Sequence, residues 1–180
     1  IGMGCGAFVS GVCMPPHTSS AAFIKVHEDG GVSLFIGASE LGQGCDTIFS
    51  QIVADTLGTA LEDIRITSGD TELTPVHAGS YSSRGTYWGG KAVREAALDT
   101  KRQLLEVVAR ELEADVEDLE TANRRIYVKG SPEKGISFKD AVMLSFMSKE
   151  GNPLLGRGYF KAKDIDLVNF ETGEGNLTAA

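Results

Sequence analysis

The sequence predicts an α+β fold, a mixed or antiparallel sheet packed with two long helices and one shorter helix, and three observations carry that prediction. Two β-rich runs, Ala21 to Glu28 and Val32 to Gly37, flank Asp29-Gly30-Gly31, the composition of a hairpin turn. Ile48, Phe49, Ile52, Val53 and Leu57 recur at the spacing of one helical face. Val93, Ala96, Ala97, Leu104, Val107, Val108 and Leu112 repeat that spacing over a longer span.

The remaining elements take their places around these. Ala7 to Val12 reads as an earlier strand, ended by Pro15-Pro16, whose rings force an extended turn. The first long helix follows Gly42-Gln43-Gly44 and stops at Gly58, a glycine C-terminal signal. Leu61-Glu62-Asp63 turns the chain into Ile64 to Thr67, an alternating strand closed by Ser68-Gly69-Asp70. Thr71 to Gly90 has little periodicity and reads as a long loop, with the second helix starting near Thr86 and running to Leu112. Val116-Glu117-Asp118 then leads to a strand at Arg125 to Val128, echoing the first helix-turn-strand unit. A third helix starts at Ser137, whose hydroxyl caps it while Asp140 answers three residues on, and ends by Gly151. Leu154 to Ala180 is extended and punctuated by glycine. No low-complexity linker divides the chain, so residues 1–180 are read as one folded unit.

Composition narrows the functional classes. With 42% hydrophobic and 23% charged residues the chain is globular, and no apolar run approaches the ~18 residues of a membrane span. Ile1 opens no secretory leader. A net charge of -8, with the basic pairs Lys101-Arg102 and Arg124-Arg125 isolated, argues against nucleic acid, which requires clustered cations. Cys5, Cys13 and Cys45 are odd in number and lack C-x-x-C spacing, which suits a reducing cytoplasm. His17, His27 and His77 are scattered, so no protein-ligated metal site is expected.

Two glycine-flanked loops carry the chemistry. Gly42-Gln43-Gly44 stands between a strand and a helix N-terminus, where unsatisfied amides and the helix dipole favour an anion and Gln43 adds an amide that donates and accepts. The plain alternative is a tight turn capped by Asp46 or Thr47. Gly79 to Gly85 holds Ser80, Tyr81, Ser82, Ser83 and Arg84, hydroxyls and a guanidinium suited to phosphate or pyrophosphate. Its alternative is a solvated loop with Ser83 as helix N-cap. Together the two loops suggest one extended anionic ligand. Gly2-x-Gly4-x-x-Ala7 meets a permissive dinucleotide fingerprint, but no strand precedes it and a strand, not a helix, follows. Asp70 and Glu72 are read as turn residues rather than an acid-base pair. Cys45 is a weak candidate for an activated thiolate, there being no His nearby in sequence. On these residues alone, a stand-alone module for a nucleotide or phosphorylated metabolite and a structural or interaction domain both stay open.

Ser39-Glu40-Leu41-Gly42-Gln43-Gly44-Cys45-Asp46-Thr47, with Gln51-Ile52 after it, resembles the large-subunit motif E-x-G-Q-G-x-x-T-x-x-x-Q-I of the molybdenum hydroxylases, the xanthine dehydrogenase, aldehyde oxidase and carbon monoxide dehydrogenase-like enzymes. The strand around Ile64, the Gly69-Asp70-Thr71 turn and the Gly79 to Arg84 loop fall in the family's order, and Tyr81-Ser82-Ser83-Arg84 is most similar to the 4-hydroxybenzoyl-CoA reductase branch. The resemblance implies that Gly42, Gln43 and Gly44, with Ser80, Tyr81, Ser82, Ser83 and Arg84, contact molybdopterin with its molybdenum, in the cytosine dinucleotide form. It implies hydroxylation with water-derived oxygen, or reductive removal of a ring hydroxyl, on an aromatic, aldehyde or CoA-thioester substrate. It further implies iron-sulfur clusters and FAD on other domains or subunits, with those subunits and the remaining large-subunit segments as partners. The family's catalytic Glu segment has no counterpart after Gly158, and its upstream phenylalanine-glycine and arginine segments have none. The expectation is therefore a fragment of the molybdopterin-binding domain, truncated at both ends, with no catalytic residue of its own and inactive alone.

Overall fold

Ser20, Ala22, Ile24 and Val26 are buried at every second position of β1 (Ser19–Val26), and Val32, Leu34 and Ile36 do the same along β2 (Val32–Ile36). That period of two turns one face of the hairpin inward. The strands pair antiparallel with Phe23 opposite Phe35, and the turn closes through the Gly30 N–H on His27 O at 2.9 Å. The computed structural model describes residues 1–6, 19–148, 151–161, 169 and 171–174. The strand expected at Ala7 to Val12, the Pro15-Pro16 turn and most of the tail beyond Lys161 lie outside them.

From β2 the chain passes through α1 (Cys45–Leu57) to β3 (Ile64–Ser68), which lies parallel to β2 with Leu34 beside Ile66. α1 ends where glycine was expected to end it. Gly58 takes φ 71°, and a Cβ there would come within 2.5 Å of the Thr121 backbone. Both conditions require glycine. A wide π-helical turn at Gly85–Gly89 opens α2 (Gly90–Leu112), one residue before the start expected at Thr86. π turns widen the helix and recur at functional positions.

The second half departs from expectation in its strands. Arg125 to Val128 is indeed a strand, β5 (Arg125–Val128), but it is the middle of a three-stranded antiparallel meander with β4 (Leu119–Ala122) and β6 (Ser131–Ser137). The β4–β5 turn is made by Asn123 and Arg124 at φ 52° and 59°, left-handed values reached without glycine. α3 (Phe138–Met147) begins as the sequence indicates, with the Asp140 N–H donating to Ser137 Oγ at 3.1 Å. β7 (Leu155–Lys161), within the stretch read only as extended, returns to pair with β1, giving the mixed order β3-β2-β1-β7.

α1 and α2 cover one face of this sheet. The contact with β7 is backbone to backbone: a Cβ on Gly158 would overlap Ala92 O and Ala96 N, and one on Gly156 would overlap Thr100 Oγ1. Glycine on the strand and alanine on the helix bring these elements together, around a core that includes Leu34, Ile36, Phe49, Val53, Val93 and Leu104.

Candidate functional site

β2 and β3 are parallel, so both run toward the same end of the sheet, and the two candidate loops leave from that end. Crevices at the carboxyl ends of parallel strands are where such sheets take ligands. Residue 37 must be small for the loops to meet, since a Cβ on Gly37 would overlap Pro75 O and lie 2.8 Å from the His77 Cβ. Ser39 is the junction. Its N–H donates to Ser80 Oγ at 3.2 Å, and its carbonyl accepts from Ser80 Oγ at 2.9 Å and from Gln43 Nε2 at 3.0 Å. One residue of each predicted loop therefore rests on the same backbone carbonyl.

The Gly42-Gln43-Gly44 turn is exposed, with Gly42 and Gly44 at φ 98° and 79° and open space where a Cβ would stand. Its amides are not left waiting. The Glu40 carboxylate accepts from the N–H groups of Gly42 at 2.7 Å, Gly44 at 3.0 Å and Asp46 at 3.2 Å, and those bonds hold its pKa at about 2. Gln43 Oε1 accepts from the Leu41 N–H at 2.5 Å. The cap from Asp46 or Thr47 that the alternative reading required does not form. Gly44 is the N-cap without a side-chain bond, and Asp46 instead accepts from Ser68 Oγ at 3.0 Å, tying α1 to the end of β3. Glu40 was missed as a site-shaping residue, although a carboxylate just before a helix N-terminus is itself a signal. Cys45 is no thiolate: burial first, then the Asp46 and Glu40 charges, push its pKa up to about 11. Asp70 is the turn residue expected, its Oδ1 accepting from the N–H groups of Glu72 and Leu73.

In the second loop Ser82 and Ser83 adopt φ 52° and 56° in succession, a conformation L-residues rarely hold and one that gathers at functional sites. Ser83 is exposed, Ser82 is buried, and no side chain caps the helical turn after them. Arg84 lies inside at 1% exposure. Its Nη2 donates to Ser19 O at 3.0 Å, its Nη1 to the Tyr81 hydroxyl at 3.4 Å, and its guanidinium carbon sits 5.2 Å from the Trp88 ring centre and 5.4 Å from that of Tyr81. Aromatic faces partly compensate a buried cation. Among the described residues, Arg84 Nε and Trp88 Nε1 are buried without a hydrogen-bond partner, and no carboxylate pairs with Arg84. His77, against Gly37, accepts from the Gly79 N–H through Nδ1, and burial, then the Arg84 charge, lowers its pKa to about 4. A neutral imidazole therefore lies beside the buried cation. Next to Ser83, a cleft of about 430 Å³ is lined by Thr86, Lys91 and Arg94 among others.

The whole chain, residues 1–180, matches the molybdopterin cofactor-binding domain family. The chain belongs to that family. It is 33% identical over 152 residues to a putative xanthine dehydrogenase molybdenum-binding subunit of Escherichia coli K12, covering 83% of this chain and 20% of that protein. It is 36% identical over 132 residues to the carbon monoxide dehydrogenase large chain of Afipia carboxidovorans, covering 73% of this chain and 16% of that one. The crystal structure of quinoline 2-oxidoreductase from Pseudomonas putida 86 superposes with a TM-score of 0.76 at 27% identity, over 82% of this chain and 19% of that one. The chain thus spans about one-fifth of the length of relatives such as the first. No helix among its described residues is long and apolar enough to cross a membrane.

The residues present fit a molybdopterin. Such a group presents phosphate and a hydrogen-bonding ring system; the second loop carries the exposed Ser83 hydroxyl next to Arg84, and the buried Arg84 Nε and Trp88 Nε1 are polar atoms without a hydrogen-bond partner among the described residues.

Proposed function

We propose that this chain supplies the cofactor-holding portion of the large subunit of a cytoplasmic molybdenum-dependent oxidoreductase, with Gly42, Gln43, Gly44, Ser80, Tyr81, Ser82, Ser83 and Arg84 facing molybdopterin in its cytosine dinucleotide form. The observation that carries the reading is the convergence of both loops on Ser39, the second of them ending in a buried Arg84 that no carboxylate among the described residues pairs with. When bound, the molybdenum centre supplies hydroxylation with water-derived oxygen, or the reverse removal of a ring hydroxyl. Electrons would leave or reach it through iron-sulfur clusters and FAD held on other domains or subunits.

The chain's own residues hold and orient. Ser80 and Gln43 lock the loops to each other through the Ser39 carbonyl, fixing where their remaining donors point. Arg84, whose guanidinium is kept from water between aromatic rings, offers its charge at low local dielectric, where an anion gains most from it. Trp88, within the π turn, sets its ring against the Arg84 guanidinium. This chain contributes no catalytic residue in the proposal.

The test is molybdenum and cytidine content of the intact polypeptide that contains residues 1–180, with Ser83→Ala and the charge-conserving Arg84→Lys. Both variants should lower cofactor content while far-UV circular dichroism stays unchanged. Full cofactor content in both, or substrate turnover by the 180-residue chain alone, would overturn the assignment.

A further inference from the structure

One face of the four-stranded sheet is packed by α1 and α2, and the other has no described element over it. Alternation assigns twelve positions to that outer face: Ser19, Ala21, Phe23 and Lys25 on β1, Ser33 and Phe35 on β2, Arg65 and Thr67 on β3, and Leu155, Arg157, Tyr159 and Lys161 on β7. Four of the twelve are cations and none is an acid, in a chain that carries 25 Asp and Glu against 17 Lys and Arg. The register makes the arrangement contiguous. Phe23 lies between Phe35 and Arg157, Lys25 between Ser33 and Leu155, Ala21 opposite Tyr159, and Ser19 opposite Lys161. Phe23 is 45% exposed, Leu155 54% and Tyr159 62%.

Such a face is not built for water. A solvated sheet face carries mixed charges and few large apolar groups, whereas an aromatic centre among outward positions that include cations and no acid is the composition of an interface, even though Arg65 and Arg157 also border carboxylates at the sheet edges. Two copies of the chain meeting through it would set cation against cation, which disfavours self-association. An acidic surface with an apolar centre fits. The net charge of -8 gives nucleic-acid phosphate no long-range attraction to steer it here. With relatives about four times this length, further polypeptide is available to supply that surface.

We infer that the outer face of β3-β2-β1-β7 docks an acidic, apolar-centred surface supplied by large-subunit polypeptide outside residues 1–180. Phe23, Phe35 and Tyr159 are buried at the centre of the contact, and Lys25, Arg65, Arg157 and Lys161 pair with carboxylates at its rim. The inference rests on the proposed function only for the source of the occupant.

Zero-length carbodiimide coupling joins lysine amines to carboxylates in direct contact, and peptide mapping of the intact polypeptide reads the pairs. Lys25 or Lys161 should couple to Asp or Glu outside residues 1–180, and Lys25→Glu with Arg157→Glu should abolish the coupling at Lys161 as well. Coupling confined to carboxylates within residues 1–180, coupling to a second isotopically distinct copy, no coupling at all, or protection of both lysines by a single-stranded oligonucleotide each overturns the docking. Molybdenum content of the same preparation separates the two claims. Couplings without molybdenum leave the docking standing and remove the functional reading; molybdenum without couplings does the reverse.

Discussion

Gly158→Ala adds one methyl group at the closest approach between β7 and α2. The new Cβ would overlap Ala92 O and Ala96 N and stand 3.0 Å from the Ala96 Cα, where carbon atoms rest at about 3.5 to 4.0 Å. All three obstacles are helix backbone, so no rotamer change relieves them. Either β7 moves off α2 or the helix moves off the sheet, and both loosen the packing of Ala92 and Ala96, which are fully buried. Overpacking of this kind costs about 1 to 3 kcal/mol, and the rigid obstacles place Gly158→Ala near the upper end. The φ at Gly158 lies outside the left-handed region, so alanine returns about 0.4 to 1 kcal/mol through the unfolded chain. The expected net loss is about 2 kcal/mol, or roughly 4 to 8 °C in Tm for a domain of this size. Equilibrium urea unfolding followed by fluorescence of Trp88, the sole tryptophan and a buried one, measures it. Gly2→Ala, which meets nothing within 4 Å, is the control and should stay within about 0.5 kcal/mol of wild type. A Gly158→Ala variant equally close to wild type would refute the argument that glycine sets the β7–α2 distance.

Other consequences are as direct. His77, lowered from 6.5 to about 4, binds its proton more readily in the unfolded chain. Its contribution is therefore fully present above pH 6.5 and lost as the pH falls through 4; relative to His77→Asn, which keeps an acceptor near Nδ1 but cannot charge, wild type should lose about 2 to 3 kcal/mol over that window by urea titration. Glu40, lowered to about 2, contributes above its ordinary value of 4.5 and loses that contribution as the pH falls through 2. Amide exchange at Gly42, Gly44 and Asp46 in Glu40→Gln should accordingly be faster than in wild type at neutral pH, and equal rates would dismiss the carboxylate as their acceptor. Arg124 meets Asp63 through two bonds of 2.7 and 2.9 Å, but its side chain is more than half exposed. A double-mutant cycle on the pair should return only a small coupling that shrinks with added salt, and a large, salt-independent coupling would contradict this.

Which parts of this structure could be read from sequence follows from the range of the forces involved. The hairpin turn, the glycine stop of α1 and the Ser137 cap of α3 are fixed within a few residues, and each lies where local chemistry puts it. β4 and β6 escaped because Asn123 and Arg124 turn the chain without glycine, and because Pro132 and Gly135 interrupt any alternation in β6. β7 is ordered by pairing with β1, a contact that no local pattern announces. The candidate site divides along the same line. Gln43 and Ser80 were legible as donors, but their meeting on Ser39 depends on the parallel β2–β3 pair.

Charge separates the two loops further. The first amides of α1, which the sequence marks as ready for an anion, already hold one in Glu40. A second anion placed there would meet that carboxylate at close range and gain little from the helix dipole. Arg84 is the opposite case, a cation with no carboxylate partner among the described residues, held where water does not screen it. An anionic ligand gains most at the second loop and least at the first. In the proposed complex the Gly42-Gln43-Gly44 turn therefore serves the neutral, hydrogen-bonding part of the cofactor, and phosphate belongs with Ser80 to Arg84.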